Sequence, residues 1–533
     1  MSAPRTILRN VGSNALGYLV NVVVGLKLTP YVMEELGNAG FGVWTLVVSF
    51  VGYYGLLDVG IRSAVGHYVA TYHARRDLAL VNRTLSTAMA LLLAVAAVAL
   101  GITWLAGDRV VGWFRWINEM RQAGGQAPLD LSEALRRPEE LRTVVWIMGA
   151  GFALSLPMAL FTTVIYSVQR IGLQNAIAIT QVVVRALLVV WVLREGHGLV
   201  GLACVAIGSN LLAWVPSVVA AYRVLPGLSF AFRRCSAAGA RELFSYGGYN
   251  VLVNVGDTVL LYTSGFVIFQ ALRDAVPVAY YGVPAATLIP YLMTLVQQVT
   301  WTFTPHLTGL WATGRVEEVR RLLGAGTRGV LILASLVAGG LLFLGGGFMS
   351  IWCRREFVAG ALFPTSVTVL QVLSVATLLR AAQSTARQAL FAMREVRYLG
   401  LLVLCEAAAN VVLSVLLVRE WGLPGVALGT LVPVLVTQGF VQPRHLLREL
   451  GVDWRRFLWD SLRASLPILF VMGAVDRLLG ERLAINSWST FLARGFVVAA
   501  PALAAGLFCG IDREERGALL RRLLRRGDGG RTG

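Results

Sequence analysis

Leu193-Arg194-Glu195-Gly196-His197-Gly198-Leu199-Val200-Gly201-Leu202-Ala203 reads as the end of one apolar helix, a tight hinge and the start of the next. With one residue inserted, the same hinge returns as Val418-Arg419-Glu420-Trp421-Gly422-Leu423-Pro424-Gly425-Val426-Ala427. Upstream of each copy, Gln169-Arg170 and Arg394-Glu395 stand at the same offset of about 225 residues. An internal repeat of that length sets the architecture, provided the number of helices within one offset can be counted.

Composition supplies the count. The 533 residues are 56% hydrophobic and 14% charged, with a mean hydropathy of +0.68, which excludes a water-soluble globular chain. Apolar runs long enough to cross a hydrocarbon core of about 30 Å recur along the whole length. They lie near 11–33, 40–62, 85–107, 143–167, 175–195, 198–222, 246–271, 280–305, 328–352, 364–393, 398–418, 422–441, 463–480 and 488–510. The first is too long for a signal peptide and continues into Met33-Glu34-Glu35-Leu36 with no small-residue cleavage site, so it is expected to remain as a helix. Six spans fall within one offset. An even number leaves both copies the same way up in the membrane, so the repeats are parallel, related by an axis along the membrane normal. The expected fold is therefore an all-α polytopic membrane protein of about 14 transmembrane helices. It comprises an N-terminal six-helix bundle (1–222), a cytoplasmic linker (223–245), a C-terminal six-helix bundle (246–441), a loop with helices 13 and 14 (442–510) and a basic tail (511–533). Two such bundles would enclose a cleft of the kind alternating-access carriers use.

A net charge of +18 would suggest nucleic acid in a soluble protein, but the charge alternates from loop to loop. Arg5 and Arg9, then Arg75, Arg76 and Arg83, then Arg223, Arg233, Arg234 and Arg241 fall on one side. The same side continues with Arg320, Arg321 and Arg328, with Arg444, Arg448, Arg455 and Arg456, and with Arg521, Arg522, Arg525 and Arg526 in the tail. The alternate loops are short and nearly neutral. By the positive-inside rule both termini are cytoplasmic, in a cell inner membrane, with no nucleic acid partner. A longer outward loop, 108–142, balances its arginines with Asp108, Glu119, Asp130, Glu133, Glu139 and Glu140 and is read as a loop with a short surface helix. The tail GALLRRLLRR suits either a helix on anionic lipid headgroups or a solvated end. Five scattered cysteines and five histidines make no metal-ligand or nucleophile pattern, so no metal, cofactor, structural disulfide or enzyme site is expected.

Charges inside the spans are the candidate functional residues, because each costs about 2.5–3.5 kcal/mol at mid-bilayer and must face protein or water. They are Lys27 in helix 1, Asp58 and Arg62 at the inner end of helix 2, Arg185 in helix 5, Asp257 in helix 7, Arg380 and Arg387 in helix 10, and Glu406 in helix 11. At the repeat offset Gln181 matches Glu406 and Arg185 matches Asn410. Within each helix the two are four apart and share a face. The cations Lys27, Arg62, Arg185, Arg380 and Arg387 are read as a cationic substrate cavity. Asp58, Asp257 and Glu406 are read as coupling or structural acids. In the deep region cations outnumber acids, an excess that calls for an anion, and phosphate suits both lysine and arginine. Lys27 is the one lysine among 47 basic residues. Its ammonium can lose charge when desolvated, as a guanidinium cannot, which suits a cavity; it could equally snorkel to the outer surface as an anchor.

The stretch 36–77 resembles the first helical hairpin of Wzx-type polysaccharide transporters, lipid-linked oligosaccharide flippases of the multidrug/oligosaccharidyl-lipid/polysaccharide exporter superfamily. The likeness rests on the turn before Gly40-Phe41-Gly42-Val43-Trp44, on Gly55-Leu56-Leu57-Asp58-Val59-Gly60 and on the basic segment that follows. Phe303-Thr304-Pro305-His306-Leu307-Thr308 and the hinge Gly422-Leu423-Pro424-Gly425-Val426-Ala427 resemble the same family. The resemblance implies a V-shaped pair of bundles that flips an undecaprenyl-diphosphate-linked glycan between leaflets, without ATP, driven by an ion gradient. It also implies work beside polysaccharide polymerase and chain-length machinery. A cation-coupled multidrug exporter would want an acidic cavity. A membrane glycan polymerase or ligase would want essential histidine or arginine in the outward loop.

Overall fold

The computed structural model describes residues 3–58, 60–129, 135 and 139–510. Every regular element among them is helical. The tail 511–533 and the loop charges Asp130, Glu133, Arg136 and Arg137 lie outside the described residues.

Among the described residues, eleven helices are long and apolar enough to cross a membrane. Two of them are each divided by a glycine with positive φ, Gly37 (φ 64°) and Gly422 (φ 58°). The charged but continuous Trp454–Leu479 adds one more, which makes fourteen. In chain order they are α1 (3–36), α2 (38–52, prolonged by a 3-10 turn Tyr53–Asp58 and the helix Ile61–Ala74), α3 (Leu78–Ala123), α4 (Glu140–Ser167), α5 (Ile171–Arg194), α6 (Gly198–Val224) and α7 (Ala237–Leu272). They continue as α8 (Val276–Ala312), α9 (Val316–Trp352), α10 (Phe363–Ala392), α11 (396–421), α12 (423–449), α13 (Trp454–Leu479) and α14 (Trp488–Gly510). Each of the fourteen apolar runs has its helix.

The outward loop is the correction. Helix α3 does not end near 107 but continues to Ala123, so half of the expected loop is one uninterrupted helix of 46 residues. Residues 108–123 contain no proline and place Val111, Phe114 and Ile117 on one buried face, so helical periodicity outlives the hydropathy signal.

The backbone repeats as the sequence does. Hinge residues with left-handed φ occur at Gly37, Arg76, Gln169, Gly196 and Gly227, and again in the same order at Arg273, Gly314, Arg394, Gly422 and Gly451. At the first non-glycine pair the hydrogen bonds also match. Gln169 and Arg170 donate their N–H to Tyr166 O and Ile165 O at 2.9 and 3.1 Å, while Arg394 and Glu395 donate to Phe391 O and Leu390 O at 3.2 and 2.9 Å. This is the Schellman closure of a helix end, built twice.

Two compact units result. The first comprises residues up to Gly282 together with Val403–Val411 of α11, and its core joins the inner parts of α2, α3, α4 and α6 through Ile61, Val65, Leu85, Leu92, Leu156 and Leu160. The second comprises Val283–Leu402 and the chain from Val412 on. Its cores join α8 to α9 and α10 through Leu292, Val296, Val330 and Ala381, and α9 to α13 and α14 through Ile332, Ile468, Met472 and Val498.

Candidate functional site

In the first unit Lys27 lies on an interrupted turn of α1. Pro30 has no N–H to give to the carbonyl four residues back, and the Thr29 hydroxyl donates instead to Gly25 O at 2.9 Å. The Lys27 side chain is exposed, between that proline and Gly25. Asp58 ends the 3-10 turn of α2, and left-handed Gly60 (φ 73°) restarts the helix so that Arg62 returns over it. Arg62 Nε lies 2.7 Å from Asp58 Oδ2, with Asp58 buried and Arg62 side chain 44% exposed. These two candidates are thus one ion pair, with Asp58 Oδ1 buried and without a hydrogen-bond donor among the described residues.

The repeat-related face is present in both copies and furnished differently. On α5, Gln181 donates from Nε2 to Asn210 Oδ1 of α6 at 2.6 Å, and Arg185 one turn on is exposed. On α11, Glu406 and Asn410 are each 1% exposed. Near Glu406 the chain makes a close helix approach. A Cβ at Gly256 of α7 would lie 2.9 Å from the Val403 carbonyl oxygen, contact that only glycine permits. Asp257 follows Gly256 and Glu406 lies three residues after Val403, so two acids read as belonging to distant spans stand on helices in backbone contact. At the related place in the first repeat, a Cβ at Gly17 would meet only the end of the Ile179 side chain of α5, at an ordinary van der Waals distance of 3.9 Å.

In the second unit α10 is broken at Gln383, where Phe363–Ala382 ends and Ser384–Ala392 begins. Arg380 and Arg387 flank the break, both half-buried, and Arg387 N–H donates to Gln383 O at 2.8 Å. Sequence reasoning missed the neutral groups around it. Gln442 Nε2 donates to the same Gln383 carbonyl at 3.3 Å, and Thr385 packs against Gly326 of α9. Thr385, Gln442 and Thr327 are 0–2% exposed, and their side-chain oxygens, with that of Gln383, have no hydrogen-bond partner among the described residues. The signal was available: Gln383-Ser384-Thr385 and Arg387-Gln388 are an unusually polar run inside an apolar helix.

A cavity of about 720 Å³ in the second unit lies elsewhere, among Phe343, Leu469, Phe470, Gly473 and the end of α13, and contains none of the candidates. Of its two arginines, Arg477 and Arg494, the second is structural: Arg494 pairs with Asp476 at 2.7 Å and donates to Gly480 O and Leu483 O, tying α14 to the end of α13. Cys353, just beyond α9, is buried, which pushes its thiol up to about 12.

Similar proteins narrow the chemistry. The chain is 22% identical over 522 residues to an uncharacterized membrane protein, EpsK, of Bacillus subtilis (strain 168), covering 96% of this chain and 97% of that one. It is 20% identical over 442 residues to a putative O-antigen transporter of Shigella flexneri, covering 81% and 96%. Among solved structures, an inward-facing MATE family transporter of the MOP superfamily superposes with a TM-score of 0.66 at 14% identity, covering 82% of this chain and 95% of that one. The lipid II flippase MurJ in an inward closed conformation gives 0.64 at 12%, covering 94% and 98%. The fold is therefore that of the MOP exporters. The family model described as polysaccharide biosynthesis protein matches residues 7–310, more than half of the sequence, and the chain belongs to that family.

Proposed function

We propose that this protein flips a polyprenyl-diphosphate-linked oligosaccharide across the cytoplasmic membrane by alternating access, coupled to an ion gradient, in the assembly of a surface polysaccharide. The observation that carries the reading is the cation excess on the spans of a chain in this family. Lys27, Arg185, Arg380 and Arg387 sit on membrane helices, and Arg62 pairs with Asp58 in the adjoining turn. A diphosphate supplies the anion such a set requires, whereas a cationic drug would be repelled by it. The polar groups at the α10 break add donors and acceptors for the headgroup, and Asp257 and Glu406 are the acids placed to carry the coupling ion. The halves that move are the two six-helix repeats, 1–222 and 246–441, with both termini cytoplasmic. Polymerase and chain-length machinery act on the delivered glycan, and anionic lipids meet the basic tail.

The test is translocation in proteoliposomes loaded with an undecaprenyl-diphosphate-linked oligosaccharide, scored by access of an impermeant glycosidase. Protein vesicles should expose the glycan faster than protein-free ones, and faster still with an imposed proton or sodium gradient. Rates equal to those of empty vesicles would overturn the reading. Lys27 separates binding from anchoring. As a diphosphate ligand its charge-assisted contact is worth about 1.5–3 kcal/mol, so Lys27→Ala should lose most flux per inserted molecule, Lys27→Arg should keep part and Lys27→Glu none. As a membrane anchor it would give normal flux and reduced yield.

A further inference from the structure

The part of α3 that projects past its apolar run is built to hold something. At 1.5 Å per residue, 108–123 extends about 24 Å beyond the expected membrane boundary. Its inner face is nevertheless apolar and buried, with Val111, Phe114 and Ile117 at 8%, 7% and 0% exposure. That face meets the outer end of α7. Trp113 and Phe114 enclose the Phe269 ring, with centroids 4.8 and 4.7 Å away, and Trp113 Nε1 donates to Gln270 Oε1 at 2.8 Å. One helical turn from the tip, Arg121 closes the contact. Its Nη1 donates to Arg273 O at 2.9 Å and lies 3.2 Å from Asp274 Oδ2, while Nε donates to Ala127 O. The Arg121 side chain is 13% exposed, so this is not a loose surface pair.

The target is a hinge. Arg273 joins α7 to α8 with φ 54° and ψ 32°, a left-handed conformation that strains a non-glycine residue, and at the corresponding place in the first repeat Gly37 also has a positive φ, 64°, with ψ 171°. Asp274 also accepts from Val276 N at 3.0 Å at the start of α8. Helix α3 belongs to the first repeat and the α7–α8 hinge to the second. In the transport cycle proposed above the two repeats are the moving halves, and a contact that joins them on one side of the membrane then breaks whenever that side opens.

We propose that the α3 extension is an outward latch: Arg121, Trp113 and Phe114 grip the α7–α8 hinge and hold the outward side shut until the transport cycle releases it. The proposal rests on the transporter reading given above, and one arm of its test needs no transport. In a background with the five native cysteines replaced by alanine, Ala275→Cys is a reporter, because Ala275 is fully buried at the hinge. Adding Arg121→Ala should raise its labelling by an impermeant maleimide from outside at least about fivefold, the population change that corresponds to about 1 kcal/mol. In the second arm, Trp113→Cys and Gln270→Cys are bridged by a short bifunctional thiol reagent during the glycan translocation assay. Bridging should stop translocation, and reduction should restore it. Unchanged labelling in the Arg121→Ala protein, or full translocation by bridged protein, would overturn the latch and leave the extension a static brace. If the chain moves no glycan in any form, the labelling arm alone decides.

Discussion

Helices α5 and α11 occupy the same place in the two repeats, yet their equivalent polar faces have opposite characters. Gln181 and Arg185 are half-buried and exposed, and Gln181 is satisfied by a neutral amide across the α5–α6 hairpin. Glu406 and Asn410 are almost wholly buried under α7. The hinge positions and the hydrogen bonds that close the helices at Gln169 and Arg394 agree between copies, so what differs is the side-chain chemistry placed on a shared backbone plan. On the function proposed above, the exposed Arg185 face would serve the anion and the buried Glu406 face the coupling ion, and the two can be perturbed separately.

The largest effect should come from the buried acid. Glu406→Gln keeps shape and removes charge, so gradient-driven flux should fall at least tenfold while gradient-free exchange persists. Glu406 is 1% exposed and engaged, so the substitution should also lower the melting temperature in detergent. Arg185→Gln should do the reverse: weaker substrate affinity, an unchanged response to the gradient and little change in melting. Equal loss of gradient coupling in both variants would dissolve the division of labour.

A moderate effect belongs to the neutral pair. Gln181→Ala removes one hydrogen bond to Asn210 and should cost about 1 kcal/mol of stability. Gln181→Glu would place beside Arg185 the acid that the second copy holds at Glu406. If burial by α7 is what makes Glu406 a coupling group, the half-buried glutamate at 181 should not rescue Glu406→Gln. Restored coupling in the double variant would show that the acid, not its burial, is the requirement.

The reasons for what was legible differ by residue. The spans are readable because the bilayer imposes a length on every apolar run, and the hinges because Arg194-Glu195-Gly196 and Arg419-Glu420-Trp421-Gly422 carry their own turn chemistry. The extension of α3 was not, because hydropathy stops where the membrane stops while Trp113 and Phe114 find protein beyond it. The approach of α7 to α11 at Gly256 and Val403 was not, because contact between helices far apart in sequence leaves only a glycine as its trace. Gln383, Thr385, Gln442 and Thr327 escaped because neutral polar groups carry no charge signal, although their buried oxygens make them as costly to misplace as a weak charge. Asp58 and Arg62 were both noticed, and their spacing of four on one chain already implied the pair that forms.

The smallest effect tests whether the two copies are equivalent in backbone energy, independently of their side chains. Gln169 and Arg394 both hold left-handed φ, 61° and 64°, with the same pair of hydrogen bonds closing the helix behind them. Glycine at either position relieves a strain of about 1–2 kcal/mol. It also loosens the unfolded chain, which returns about 0.4–1 kcal/mol. The net expectation for Gln169→Gly and for Arg394→Gly is a gain of a few tenths to about 1 kcal/mol, read as a small rise in melting temperature. The two gains should match closely, because φ and hydrogen bonding match. Gly422→Ala supplies the opposite sign: φ there is 58° with ψ −135°, and a Cβ should destabilise although it meets no atom within 4 Å. A gain at one hinge and a loss at the other would mean that one side chain, Gln169 or Arg394, holds a contact beyond its own turn. The equivalence of the repeats would then end at the backbone trace and not extend to its energetics.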